Sequence, residues 1–206
     1  MGTNKKSIPQ MKHHRLIVAA SLLTASVAST ASVRANEGVP PPALPAANVT
    51  GLHDFDFLVG SWKIHHLRLR ERLAGNNEWD EFDGTCSMCL TMGGWGNFDD
   101  NVINLPGGAY RAMGFRAYDS KTGLWAIWWL DGRYPAADLA PPVKGRFQDG
   151  IGLFYADDSL RGKPIRVRYT WSMITPTSAH WEQAFSPDGG KSWETNWKMD
   201  LSRVPL

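Results

Sequence analysis

A chain of 206 residues is long enough for one substantial domain and too short for two of ordinary size. Its formal net charge of +2 excludes a binder that works by neutralising nucleic-acid phosphates. Ten tryptophans demand a broad aromatic core or an aromatic-lined cavity, because each buries a large ring and brings one N–H that needs a partner.

Residues 1–35 read as a secretory signal peptide. Lys5, Lys6, Lys12, His13, His14 and Arg15 form a basic leading region, and Leu16 to Ala31 is apolar but diluted with Ala, Ser and Thr. Val33-Arg34-Ala35 supplies the small-x-small pattern of a cleavage site, with Asn36 as the new N-terminus. The apolar run is short and polar for a retained spanning helix, so no stable membrane span is expected after cleavage. No Cys follows it and no twin-arginine pair precedes it, which points to ordinary unfolded export to the periplasm or medium. Residues 36–50, rich in Pro and Ala, read as an extended linker. The folded domain is expected over 51–206.

That domain opens on Asp54-Phe55-Asp56-Phe57-Leu58-Val59-Gly60-Ser61-Trp62. Gly60 permits a backbone conformation or a close contact that a Cβ forbids, and Trp62 is bulky enough to plug one end of a small barrel. From Lys63 to Leu73 both faces carry apolar and charged residues. This predicts either a bulge or a strand that leaves the core at its far end. Ala74-Gly75-Asn76-Asn77 turns the chain and Glu78 to Leu90 returns as a second strand. Gly93 to Asn97 breaks the pattern, with a brief strand over Asn101–Leu105. Strands follow over Tyr110–Tyr118 and Leu124–Leu130, joined by an Asp119-to-Gly123 hairpin loop. Ala136 to Pro142 cannot be regular strand because of its prolines. Short strands at Val143–Phe147 and Gly152–Tyr155 precede a polar loop over Asp157–Lys163. Three more strands, Ile165–Met173, Ala179–Phe185 and Trp193–Leu201, complete the chain. Roughly nine or ten strands joined by short turns predict an all-β fold, an antiparallel up-and-down barrel.

Phe57-Leu58-Val59-Gly60-Ser61-Trp62 resembles the Gly-x-Trp opening strand of the calycin superfamily, which includes lipocalins, fatty-acid-binding proteins and nitrobindins. Tyr118 to Trp125, Trp128 to Arg133 and Trp181 to Glu194 resemble a bacterial lipocalin-like family of uncharacterised function. The resemblance covers Asp54 to about Arg203 and implies a calycin-like barrel without implying an activity. Calycin-like barrels also host cyclisation and isomerisation chemistry, so it leaves an enzyme open.

The candidate ligand-binding residues are Trp128, Trp129, Trp171, Trp181, Trp197, Arg68 and Arg116. Two readings stay open for the tryptophans on strands: a barrel packed solid, or a cavity for a flat apolar or aromatic molecule. The charged residues divide in the same way. An inward Arg needs a carboxylate or an anionic ligand beside it. An inward Arg–Glu pair would support a cyclase or isomerase, with Glu182 or Asp131 as acid/base and Arg168 as orienter. The alternation of Ile165, Val167, Tyr169 and Trp171 favours the opposite placement, with Arg166 and Arg168 on the outside. His65 and His66 are adjacent in a strand and cannot chelate together. A nitrobindin-like haem ligand would fall late in the chain, where His180 competes with Trp181 for the inward position, so no haem or other cofactor is expected. Cys86-Ser87-Met88-Cys89 lacks the second pair that zinc requires, so no metal site is expected, and the motif reads as a local disulfide or two thiols. The leading expectation is an exported barrel that binds a small apolar or aromatic molecule. A cyclase or isomerase and a non-catalytic envelope interaction module are the alternatives.

Overall fold

The structure, a computed structural model, describes residues 49–205; the signal-peptide reading and most of the linker reading lie outside the described residues. Ten strands follow in chain order: β1 Gly60–Leu69, β2 Trp79–Thr91, β3 Gly96–Leu105, β4 Gly108–Asp119, β5 Leu124–Asp131, β6 Val143–Gln148, β7 Ile151–Leu160, β8 Lys163–Ser172, β9 Ser178–Ser186 and β10 Glu194–Arg203. Each pairs antiparallel with its sequence neighbours, and β1 also pairs with β10, so the sheet closes on itself. The expected up-and-down barrel is present. Among the described residues no helix is long and apolar enough to cross a membrane.

Closure depends on the opening strand. Trp62 stands opposite Cys86 on one side and Arg203 on the other. Its ring is fully buried and its Nε1–H donates to the Leu58 carbonyl at 2.8 Å. The Arg203 guanidinium covers the ring at 4.2 Å and donates to the carbonyls of Phe57, Val59 and Pro176. Gly60 has φ +113°, and a Cβ there would lie 2.9 Å from Arg203 Nη1, which is why the corner takes no other residue comfortably. The deeper plug is Phe55, just before a 3-10 turn at Asp56–Leu58. Its ring is fully buried against Trp125, Phe147, Phe154 and Trp171. One end of the barrel is therefore closed by the chain's own entry segment.

Period-2 burial holds on most strands, with β2 burying Phe82, Gly84, Cys86 and Met88 as it exposes the residues between them. Five details differ from the sequence reading. β1 carries no bulge: its pairing runs unbroken, and its last residue, Leu69, is still buried. β3 begins at Gly96, so Asn97 and Asp99 join its inward face, and β7 continues to Leu160 through the stretch read as a loop. The bulge sits in β10, where Thr195 opposes Ala184 but Trp197 opposes Gln183. The extra residue, Asn196, moves Trp197 and Met199 onto the inner face that Thr195 has left. Cys86 is buried inside and Cys89 exposed outside, so the local disulfide reading fails: both are free, on opposite faces of one strand. Burial, more than the nearby carboxylates, pushes the Cys86 thiol far up, away from reactivity.

The wall is uneven. β6 meets β5 only from Trp125↔Gly145 to Ile127↔Val143, and meets β7 only up to Tyr155. The last part of β5 thus has a strand neighbour on the β4 side alone. Trp129 lies in this part, and its ring is 40% exposed although it faces Gly114 across the inner surface.

Candidate functional site

The barrel interior is mostly filled, and what remains is a cavity of about 100 Å³ between Leu58 at the closed end and Trp129 and Trp197 toward the open one. One wall is aromatic. β8 supplies Tyr169 and Trp171, β9 supplies Trp181 and β10 supplies Trp197. Their rings interlock edge to face, Tyr169 on Trp181 at 4.9 Å and Trp181 on Trp197 at 6.0 Å. Another part of the lining, from β1, which adjoins β10, and from β3 and β4, sets a polar wall of His66, Asp99, Asn101 and Arg116 beside Ile64 and Ile103.

The polar wall is held by a buried ion pair. Arg116 Nη1 lies 2.6 Å from Asp99 Oδ2, with side-chain exposures of 8% and 5%. The same nitrogen donates to Asn97 Oδ1 at 3.0 Å, and the Gly114 N–H donates to Asp99 Oδ1 at 2.9 Å. Asn101 Nδ2 also donates to Asp99. A buried carboxylate satisfied by a guanidinium, a backbone N–H and an amide is well compensated. The arginine is not: its Nε is buried without a hydrogen-bond partner, as is Asn97 Nδ2.

His66 is the inward histidine of β1, with 1% exposure, stacked 4.8 Å from Phe82. The Trp197 indole N–H donates to its Nδ1 at 3.1 Å. An indole nitrogen only donates, so Nδ1 must accept, and in the neutral ring the proton sits on Nε2. That Nε2–H is buried without a partner. Burial first, then the neighbouring His65 and Arg68, pulls the His66 pKa from 6.5 to about 4, which keeps the ring neutral. The ring fits only because residue 84 is glycine, where a Cβ would approach Nε2 to 2.7 Å.

The structure separates the residues singled out from the sequence. Trp171, Trp181 and Trp197 point inward and line the cavity, and Trp129 stands at its exposed edge. Trp128 borders the cavity, but its indole stacks on Phe115 at 5.1 Å, on the opposite face of β5 from Trp129. Arg116 lines the polar wall, whereas Arg68 lies beyond it at the open mouth, 4.8 Å over Trp197. Arg168 and Glu182 do not form the inward pair expected of them. Arg168 alternates with inward Val167 and Tyr169 and covers Trp193 at 4.5 Å on the outside. Glu182, between inward Trp181 and Gln183, approaches His180 at 3.4 Å. Asp131 sits at the mouth, clamped by Arg133 at 2.6 Å. The Arg133 hydrogen bonds hold its carboxyl below the usual carboxylate range, the reverse of what an acid working near neutrality needs. His180 faces outward, bonded to Asp200 at 2.6 Å, and Trp181 takes the inward place.

Asp99 and Asn101 were not singled out from the sequence, and the inward place of His66 stayed open. An inward run of Asn97, Asp99 and Asn101 has polar residues where a core strand should be apolar, so the hydrophobic period misses the first half of β3, before Asn101. The available signal was the alternation of Asn97, Asp99, Asn101 and Ile103 itself.

No protein-family model and no curated protein matches the sequence. Among solved structures, the chain is similar to the S-type phycobiliprotein lyase CPES from Guillardia theta, with a TM-score of 0.54, 10% identity and coverage of 75% of this chain and 92% of that one. It also matches a redesigned β-barrel, mFAP0, bound to DFHBI (TM-score 0.39, 12% identity, 71% and 99% coverage). A third match is EF1p2_mFAP2b bound to DFHBI (TM-score 0.41, 10% identity, 75% and 99% coverage). At such identities the first likeness speaks for the barrel fold alone.

Proposed function

We propose that this protein is an exported binding barrel that takes a single small ring carrying a hydrogen-bond acceptor. The observation that carries this reading is the two-sided cavity. An aromatic wall of Trp171, Trp181 and Trp197 meets a polar wall whose His66 Nε2–H and Arg116 Nε–H are buried and unpaired. Each unpaired buried donor costs on the order of 1–3 kcal/mol, which an acceptor on the ligand would offset. The volume limits the guest. Drug-sized ligands occupy pockets of about 300–1,000 Å³, and an apolar cavity of about 150 Å³ takes benzene. A space of about 100 Å³ therefore suits one ring with slight relaxation of its walls, and excludes fused polycycles unless Trp129 or Trp197 swings aside. Export rests on the basic and apolar segments before the Val33-Arg34-Ala35 site.

The test is a titration of the purified domain with benzamide and toluene, followed by tryptophan emission. Benzamide is expected to saturate the change and to bind at least about fivefold more tightly than toluene, as one buried hydrogen bond of about 1 kcal/mol requires. His66→Phe should erase that preference and leave toluene binding in place. Unsaturable emission with both compounds would sink the proposal.

A further inference from the structure

Above the cavity, at the open end, the barrel carries two arginines, Arg68 and Arg72, that no ion pair ties to a carboxylate; Asp131, Asp80 and Glu194 act on them only from a distance. Arg68 is the last inward residue of β1 before its end and lies on the Trp197 indole, so a single ring separates it from the cavity. Arg72 comes from the β1–β2 connection. That connection is tied to the barrel where the Leu73 N–H donates to Glu194 Oε1 at 2.7 Å, with Leu73 held at φ +53°. The Nε of Arg68 and the Nε of Arg72 are both buried without a hydrogen-bond partner. The carboxylates of this end are engaged elsewhere: Asp131 with Arg133, Asp80 with Arg70 and Glu194 with the Leu73 N–H.

The two groups also act on each other. Burial first, then the like charge of the Arg68 guanidinium, lowers the Arg72 pKa to about 10. Burial likewise lowers Arg68, with Arg133 as a further like charge. Two half-buried cations close enough to repel, each with an unpaired Nε–H, work against folding unless an anion joins them. The phenol of Tyr110 faces the same space, with the Arg133 guanidinium 4.0 Å over its ring.

We infer that Arg68 and Arg72 form an oxyanion subsite at the barrel mouth, which takes the carboxylate of a ligand whose ring enters past Trp197. The planar fork of a guanidinium matches a carboxylate in two parallel hydrogen bonds, a geometry that an ammonium or a neutral donor does not offer. The ligand class is thus an aromatic ring joined to a carboxylate by a short chain. The ring's destination rests on the cavity reading above; the subsite itself does not.

Acetate alone tests the subsite. The Nε–H resonances of Arg68 and Arg72, assigned by Arg68→Gln and Arg72→Gln, are expected to shift saturably with acetate at constant ionic strength while matched chloride leaves them unmoved. A matched pair tests the connection: 3-phenylpropionate should bind about tenfold more tightly than 3-phenylpropan-1-ol at low salt. The double variant Arg68→Gln/Arg72→Gln should lose that advantage and keep its affinity for the alcohol. Both substitutions remove a poorly compensated charge, so the variants are expected to fold, with an unchanged far-ultraviolet dichroism spectrum. If acetate shifts neither resonance, or if the carboxylate advantage survives the double variant, the subsite is wrong, whatever the alcohol does. If acetate shifts both resonances but neither phenyl compound binds, the subsite stands and the cavity reading falls.

Discussion

His66 concentrates the chemistry of this barrel in one side chain. It is the residue through which the aromatic wall, by Trp197, meets the polar wall, and the bond to Trp197 sets which of its nitrogens carries the proton. Its buried, neutral state has a consequence for stability. The folded pKa, about 4, lies below the ordinary 6.5, so between those values the unfolded chain takes up a proton that the folded protein refuses. The contribution is fully present above pH 6.5 and is lost as pH falls toward 4. The shift corresponds to roughly 3 kcal/mol. Urea unfolding across that range should show stability dropping by this order, and His66→Gln should flatten the drop to less than half. An unchanged profile in the variant would assign the pH dependence to other groups. Asp188 titrates lower still: hydrogen bonds from Ser192, Ser186 and Lys191 hold its carboxyl far below the usual range, so its loss falls outside the His66 window.

At the scale of the element, β10 decides what lines the cavity. Without the bulge Thr195, Trp197 and Met199 would share one face; with it Thr195 opposes Ala184 on the outer face while Trp197 and Met199 oppose inward Gln183 and Trp181. Asn196 is fully buried, accepts from Gln183 Nε2 at 2.8 Å and donates to the Glu194 carbonyl at 3.3 Å. It satisfies backbone and side-chain groups that the bulge leaves unpaired. Asn196→Ala leaves the Gln183 amide buried without that acceptor and is expected to cost about 1–3 kcal/mol in urea unfolding. Gln183→Met in the same chain should recover part of the loss, because the pair shares one network. A strictly additive double variant would show that Gln183 and Asn196 do not couple.

For the whole molecule, closure bears on the proposed export. The barrel joins its first strand to its last, so the chain is nearly complete before the sheet can close, a non-local pairing of the kind that slows folding. Cys86 and Cys89 lie on opposite faces of β2, so this fold calls on no disulfide between them. The expected mature protein begins at Asn36, which an intact mass of the periplasmic form would check; a mass that retains residues 1–35 would overturn export by cleavage.

The barrel was legible because its signals are local. Gly60 and Trp62 mark the corner, Asp119 and Gly123 mark a hairpin, and the alternation of Ile165, Val167, Tyr169 and Trp171 marks a core-facing strand. Each depends on residues close in sequence, so composition and period suffice to read them. The site was less legible because it depends on which side of the wall each residue faces once all strands are paired. Trp128 and Trp129 are adjacent and equally aromatic, yet the indole of one stacks on Phe115 outside and the other lies on the inner face beside Gly114. Arg116 finds Asp99 only through the β3–β4 register, and His66 finds Trp197 only because β1 closes on β10 across 131 residues of chain. The sequence by itself determined a closed barrel and the tryptophan corner that seals one end. Register, the bulge at Asn196 and closure of β1 on β10 decided that the interior holds a ring-sized cavity with one polar wall, because only paired strands assign a side chain to the inside or the outside.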